Sequence, residues 1–189
     1  MKLQTSVLLR KKQRGFTLLE AVVAILLVSV GLLAMVLVLT QGLKIAAATQ
    51  SDYIAKKKAE EAIEAIFTAR NTQLKSWDDI QNISAGGIFK DGPQNMYAPG
   101  NDGLVGTNND NTAKPDVLIT GPGPDGTWNT ADDVTVPLSG MTREIQIVNV
   151  LDATGNTIPN LRQITVIMRY VAAGEARTQT FISYISPFA

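Results

Sequence analysis

The chain contains no cysteine and no histidine in 189 residues. Without cysteine there is no disulfide, no thiolate nucleophile and no Cys-type zinc or iron–sulfur centre. Without histidine there are no imidazole metal ligands, no Ser-His-Asp triad and none of the commonest neutral-pH acid/base. Aromatic residues are scarce at 6% and are not interleaved with bases, so no stacking platform for nucleic acid is expected. The 17 basic and 17 acidic side chains cancel, but unevenly. Lys2, Arg10, Lys11, Lys12 and Arg14 crowd the first fifteen residues, leaving 12 basic against 17 acidic side chains in residues 16–189. Such a surface suits no specific nucleic-acid partner. The doublets Asp78-Asp79 and Asp132-Asp133 are poor acid/base pairs, because adjacent side chains diverge on a strand and splay on a helix. No GxxxxGK[ST] loop is present. The sequence is that of a non-enzyme.

What is present begins with an apolar run. Residues 21–39, AVVAILLVSVGLLAMVLVL, carry no charge and no proline. As a helix the run spans about 28 Å, close to the thickness of a bilayer's hydrocarbon core. A buried core helix would show a polar face within this length, and none is visible. Bases before the run, and none after it until Lys44, place the N-terminus in the cytoplasm. A secretory signal would be shorter and end in a small-x-small site, for which Ala46-x-Ala48 is the candidate. Glu20 stands at the mouth of the run, where a carboxylate is costly unless partnered.

Lys11 to Glu20, KKQRGFTLLE, followed by the apolar run, resembles the leader of type IV prepilins and type II secretion pseudopilins. The resemblance is tight over residues 11–40. It implies cleavage by a prepilin peptidase between Gly15 and Phe16, N-methylation of Phe16, and an assembly role for Glu20 against the amino terminus of its own or a neighbouring subunit. A buried carboxylate loses its desolvation penalty only when that partner is in register. Glu20 also suits a first helical turn, where the dipole favours acids. Where major pilins carry Gly and Pro, this chain has Ser29 and Leu37, and the run LVSVGLL is similar to pilus-modification (PilV-like) minor pilins and to one group of minor pseudopilins. Without that proline the helix need not kink there.

The resemblance implies an α+β, pilin-like chain: a long N-terminal transmembrane or filament helix packed on an antiparallel β-sheet head. The segments expected are a leader over 1–15, a helix over 16–70 with its transmembrane part at 16–40, a loop-rich region with short strands over 71–140, and the sheet over 141–189. Helix formers and an amphipathic pattern continue past Thr40, with no proline before Pro93. Lys56, Lys57 and Lys58 read as a solvated face, with Lys57 and Glu61 at i,i+4. Ser76-Trp77-Asp78-Asp79 before Ile80 and Ile83 predicts a short capped helix. Strand patterns fall at 117–120, 134–138, 143–151, 161–171 and 177–185, with turns at 152–156 and 172–175. The function implied is that of a minor pilin, working with other pilins and an inner-membrane assembly platform, held single-pass with the head in the periplasm before entering an extracytoplasmic filament. A type II secretion minor pseudopilin and a membrane-anchored binding protein remain the alternatives.

An internal echo lies in the loop-rich region. GNDGLVGTNND (100–110) and GPDGTWNTADD (123–133) share G-x-D-G-x-x-x-T-x-x-D, five positions in eleven. Hard oxygens bent together by glycine suit calcium, with Asp102 and Asp110, or Asp125, Asp132 and Asp133, as ligands. The alternative is a pair of turns whose side chains bond their own backbone. No cofactor is otherwise required.

Overall fold

The computed structural model describes residues 16–188. The chain divides into two units, one ending at Lys44 and one beginning at Ile45. Helix α1, Leu18–Asn71, runs through both. Thr17 starts it: its hydroxyl accepts the N–H of Glu20 at 3.3 Å, satisfying one of the four donors a helix start leaves open. In the first unit every large apolar side chain from Leu18 to Leu43 is exposed. The polar side chains there bond backward, Ser29 to the Ile25 carbonyl and Thr40 to that of Val36, both at 2.8 Å. A helix in hydrocarbon needs such internal satisfaction. The segment is long and apolar enough to cross a membrane.

The second unit packs the remainder of α1 on a sheet. Ala48, Ala55, Ala59, Ala62, Ile66 and Ala69 form one buried stripe at three-, four- and seven-residue spacings. Small side chains let the helix lie close to Ile164, Val166, Met168 and Tyr170, which alternate along the central strand and belong to the same core. The strands are β1 (Gln94–Asn95), β2 (Tyr97–Ala98), β3 (Asn111–Pro115), β4 (Val117–Gly121), β5 (Val134–Pro137), β6 (Thr142–Leu151), β7 (Thr157–Ala172) and β8 (Glu175–Ile185). The main sheet has the order β1-β6-β7-β8, antiparallel throughout. β2–β3 and β4–β5 are separate two-stranded ribbons. The fold is thus the expected α+β arrangement of a long apolar helix and an antiparallel sheet.

Three details depart from the sequence reading. The expected helix at Ser76 is a turn: the Ser76 N–H donates to the Asp79 carboxylate at 2.9 Å and the Asp79 N–H to the Ser76 hydroxyl at 3.3 Å, the reciprocal capping bonds, but the chain continues only into a 3-10 turn at Ile83–Ala85. The Asn82 side chain explains why. Its amide donates to the Ile145 carbonyl and accepts the Ile147 N–H, both at 2.7 Å, standing in for a strand on the edge of β6. Second, β7 begins at Thr157, four residues before the pattern suggests. Asn160 there has φ +58° and β6 shifts register between Asn149 and Leu151, so a bulge carries the strand past Pro159. Third, Lys58 is not on a solvated face. It bonds Glu61 and the buried Asp116, both at 2.9 Å, while Lys57 pairs with Glu60 rather than Glu61.

Candidate functional site

The residues singled out by sequence form two groups. Gly15 lies outside the described residues, so the structure begins at Phe16. Glu20 is exposed in the first turn of α1 and, among the described residues, has no ion-pair partner. Thr17 and Glu20 have capping-box spacing, and the hydroxyl of Thr17 takes the backbone bond. The carboxylate sits where the helix dipole favours negative charge.

Residues 10–36, which include Gly15, Phe16 and Glu20, match the family model described as the prokaryotic N-terminal methylation motif, the signature of type IV prepilins and pseudopilins. The match covers the end of the leader and the first part of the apolar helix, and supports a type IV pilin-like or pseudopilin reading. No curated protein and no solved structure matches the chain.

The second group is the pair of glycine–aspartate loops, and the structure builds them alike. Asp102 accepts the Leu104 N–H at 3.1 Å, and Asp125 accepts that of Thr127 at 2.7 Å. Gly103 and Gly126 both have φ +69°, and each donates its N–H to the glycine three residues earlier at 3.0 Å. Asp110 and Asp133 each accept the N–H of the threonine three residues before, at 3.2 and 3.1 Å. The first glycine of each loop has no room for a side chain, Gly100 meeting Asn109 and Gly123 meeting Asp132. The five shared positions are therefore those the turn geometry requires.

Their surroundings differ. Asp110 is buried with both oxygens occupied, Oδ2 by the Gly106 N–H at 2.8 Å and Oδ1 by Thr107. Burial pushes the Asp102 carboxyl up, but bonds from Asn109 and Leu104, with Lys75 at 3.5 Å, outweigh it and hold the group below its usual value. Lys75, from outside the loop, supplies its countercharge. In the second loop, the Thr130 hydroxyl, 2.7 Å from Asp132, holds that carboxyl low, and no lysine or arginine forms an ion pair there among the described residues. Asp133 Oδ1 is enclosed without a hydrogen-bond partner. Among the described residues no group of three or more acidic side chains has converged into a metal cage.

Sequence reasoning missed the charges that close the head. Asp52 on α1 accepts the Tyr170 hydroxyl and the Arg177 guanidinium, each at 2.7 Å. Burial first, then the bond to Asp52, pushes the Tyr170 hydroxyl up to about 12. Arg70 donates to the Ser186 and Phe188 carbonyls at 2.6 and 3.1 Å, pinning the C-terminal segment where no disulfide is available. Arg162 stacks 4.1 Å from the Trp77 ring and bonds the Trp77 and Ile80 carbonyls. One signal was legible: Lys58 lies three residues after Ala55 and four before Ala62, at the margin of the buried stripe.

Proposed function

We propose that the chain is a minor pilin of a type IV pilus, a structural subunit and not an enzyme. Prepilin peptidase cuts after Gly15, Phe16 becomes the N-methylated terminus, and Glu20 pairs with an amino terminus as the subunit enters the filament from the inner membrane. The observation that carries this reading is the motif over residues 10–36 continuous with a helix whose apolar side chains are all exposed until the head begins. Exposed hydrocarbon on that scale needs lipid or neighbouring helices around it. The length of the head beyond α1, residues 72–188, favours a pilus minor pilin over a secretion pseudopilin, whereas Ser29 and Leu37 suit both. Other pilins and the assembly platform are the partners this reading requires. Sequencing the mature N-terminus tests it: methylated Phe16 is expected, whereas an intact Met1 or a start after Ala48 would overturn it.

Calcium belongs to the second loop in this reading, with Asp125, Asp132 and Asp133 as its acidic ligands. Asp133 Oδ1, enclosed and unpartnered, supports a cation there, and the Lys75–Asp102 contact disfavours one in the first loop. Asp102 and Asp110 then serve as turn residues.

A further inference from the structure

The chain has three Asp-Gly pairs, Asp91-Gly92, Asp102-Gly103 and Asp125-Gly126. Glycine has no Cβ to shield its nitrogen, which can attack the side-chain Cγ of the aspartate before it. The structure holds the three carboxylates very differently. Both oxygens of Asp91 are occupied by Ser84, Oδ2 by its N–H at 3.0 Å and Oδ1 by its hydroxyl at 2.7 Å. Asp102 accepts from the Leu104 N–H and the Asn109 amide, and Lys75 stands 3.5 Å away. Among the described residues Asp125 accepts a single bond, from the Thr127 N–H at 2.7 Å. The backbones differ as well. Leu104 and Val105, which follow Asp102-Gly103, are buried in the core, whereas residues 124–129 are all exposed. Residues 124–129 can therefore open without lifting core side chains out of the head. The N–H groups of Gly103 and Gly126 make the same bond at 3.0 Å, so that bond does not separate the two loops.

Closure of a succinimide ring asks for a carboxyl that is free to turn and to take up a proton. Turning Cγ onto the next nitrogen breaks the hydrogen bonds that the carboxylate accepts. Those same bonds favour its ionised form, from which no water can leave. Two bonds oppose closure at Asp91, two bonds and an ammonium at Asp102, and one bond at Asp125. We propose that Asp125-Gly126 is the site at which this chain converts to isoaspartate, Ser84 protecting Asp91 as Lys75 and Asn109 protect Asp102. In the first step the Gly126 nitrogen bonds to Asp125 Cγ, the Cγ–OH bond breaks, and water leaves with the nitrogen's proton. In the second, water adds to the main-chain carbonyl carbon of Asp125, and the bond from that carbon to the Gly126 nitrogen breaks. The main chain then runs through Cγ, and the freed main-chain carboxylate becomes the side group. Water is the only reactant. The product has a longer backbone and loses the bond to the Thr127 N–H, so the turn that the two loops share disappears from the second alone.

This chemistry needs neither the pilin assignment nor a metal, and a chelator in every sample keeps the calcium reading out of the result. The full-length chain is aged in detergent in heavy-oxygen water. It is then unfolded and digested in ordinary water with an endoproteinase that cuts before aspartate and spares isoaspartate. Mass spectrometry should find the cut before Asp125 lost, and heavy oxygen gained there, about tenfold faster than at Asp91 or Asp102. Ageing in denaturant should bring the three rates together, because the protecting bonds are gone. Lys75→Met combined with Asn109→Ala should raise the rate at Asp102 and leave that at Asp125 unchanged, whereas unfolding would move both. No isoaspartate at Asp125, equal rates at the three pairs in the folded chain, a ratio that survives denaturant, or a rate at Asp102 indifferent to the double variant overturns the proposal.

Discussion

The two halves of α1 use the same backbone and opposite side-chain logic. From Leu18 to Lys44 large residues cover the whole circumference and none is buried. From Ile45 to Asn71 one stripe, of alanines and Ile66, is buried, and the exposed positions include the charged Lys56, Lys57, Glu61 and Glu64. The first half holds nothing in the head together, and the second is part of the head's core. A helix can therefore be continuous in hydrogen bonding while its stability comes from two different environments. Changes in the first half should alter maturation and assembly without touching the fold, and changes in the second should do the reverse.

The largest effect expected is on maturation. Gly15→Val puts a β-branched side chain at the bond that the motif assigns to the peptidase, and should leave the chain entirely in its longer form on a gel. Normal processing would break the assignment. Glu20→Ala should be cut and inserted normally, since removing a charge eases insertion, but should be depleted from sheared filaments. Melting of the head should be the same in both variants.

The same substitution in both halves isolates the contrast. Ala59→Leu drives a larger side chain into a fully buried position facing the sheet and should cost about 3 kcal/mol of head stability. Ala34→Leu adds the same atoms where nothing is packed and should cost the head nothing measurable. Denaturant midpoints of the two full-length variants in detergent decide it, and equal losses would mean the first half is also part of the core.

Legibility followed the same division. The apolar run, the motif and the five strands β4 to β8 could be read because each is a local pattern: uninterrupted hydrocarbon, fixed spacing, or alternation such as Ile164-Val166-Met168. What escaped depends on distant partners. Ser76 and Asp79 carry a helix-start signature, yet Asn82 is drawn to β6 and the helix stops before it begins. Lys58 reads as solvent-facing until Asp116, far along the chain, arrives beside it. β1, β2 and β3 are short or polar, held by pairing rather than by pattern. At the candidate sites, spacing places Gly15, Phe16 and Glu20 within the motif matched over residues 10–36, while the echo of the two loops revealed a shared turn but not their different charge environments.

The loops sharpen the comparison because any ligand they hold stabilises the second unit alone. Calcium at about a hundred times its dissociation constant should raise head stability by about 2.7 kcal/mol. Asp133→Asn should abolish that gain, and Asp110→Asn should lower the baseline without abolishing it. Ala34→Leu should leave the gain intact. Magnesium, which holds its water more tightly and demands compact octahedral geometry, should stabilise far less. No calcium response in the unaltered chain would reduce both loops to turns.

The smallest effect lies in the turn between β7 and β8. Ala173 and Gly174 join β7 to β8 with φ +53° and +87°, the two left-handed positions of a tight hairpin turn. Glycine adopts that conformation freely, but alanine is strained by its Cβ. Asparagine tolerates it and forms the Asn-Gly pair that such turns favour. Ala173→Asn should therefore stabilise the head by about 0.5 to 1 kcal/mol, a rise of about 2 to 4 °C in melting temperature for a unit of this size. Lying outside the motif, it should leave processing at Gly15 and the Glu20 phenotype unchanged. A Tm that falls would mean that the turn is held in another conformation by contacts beyond its own two residues.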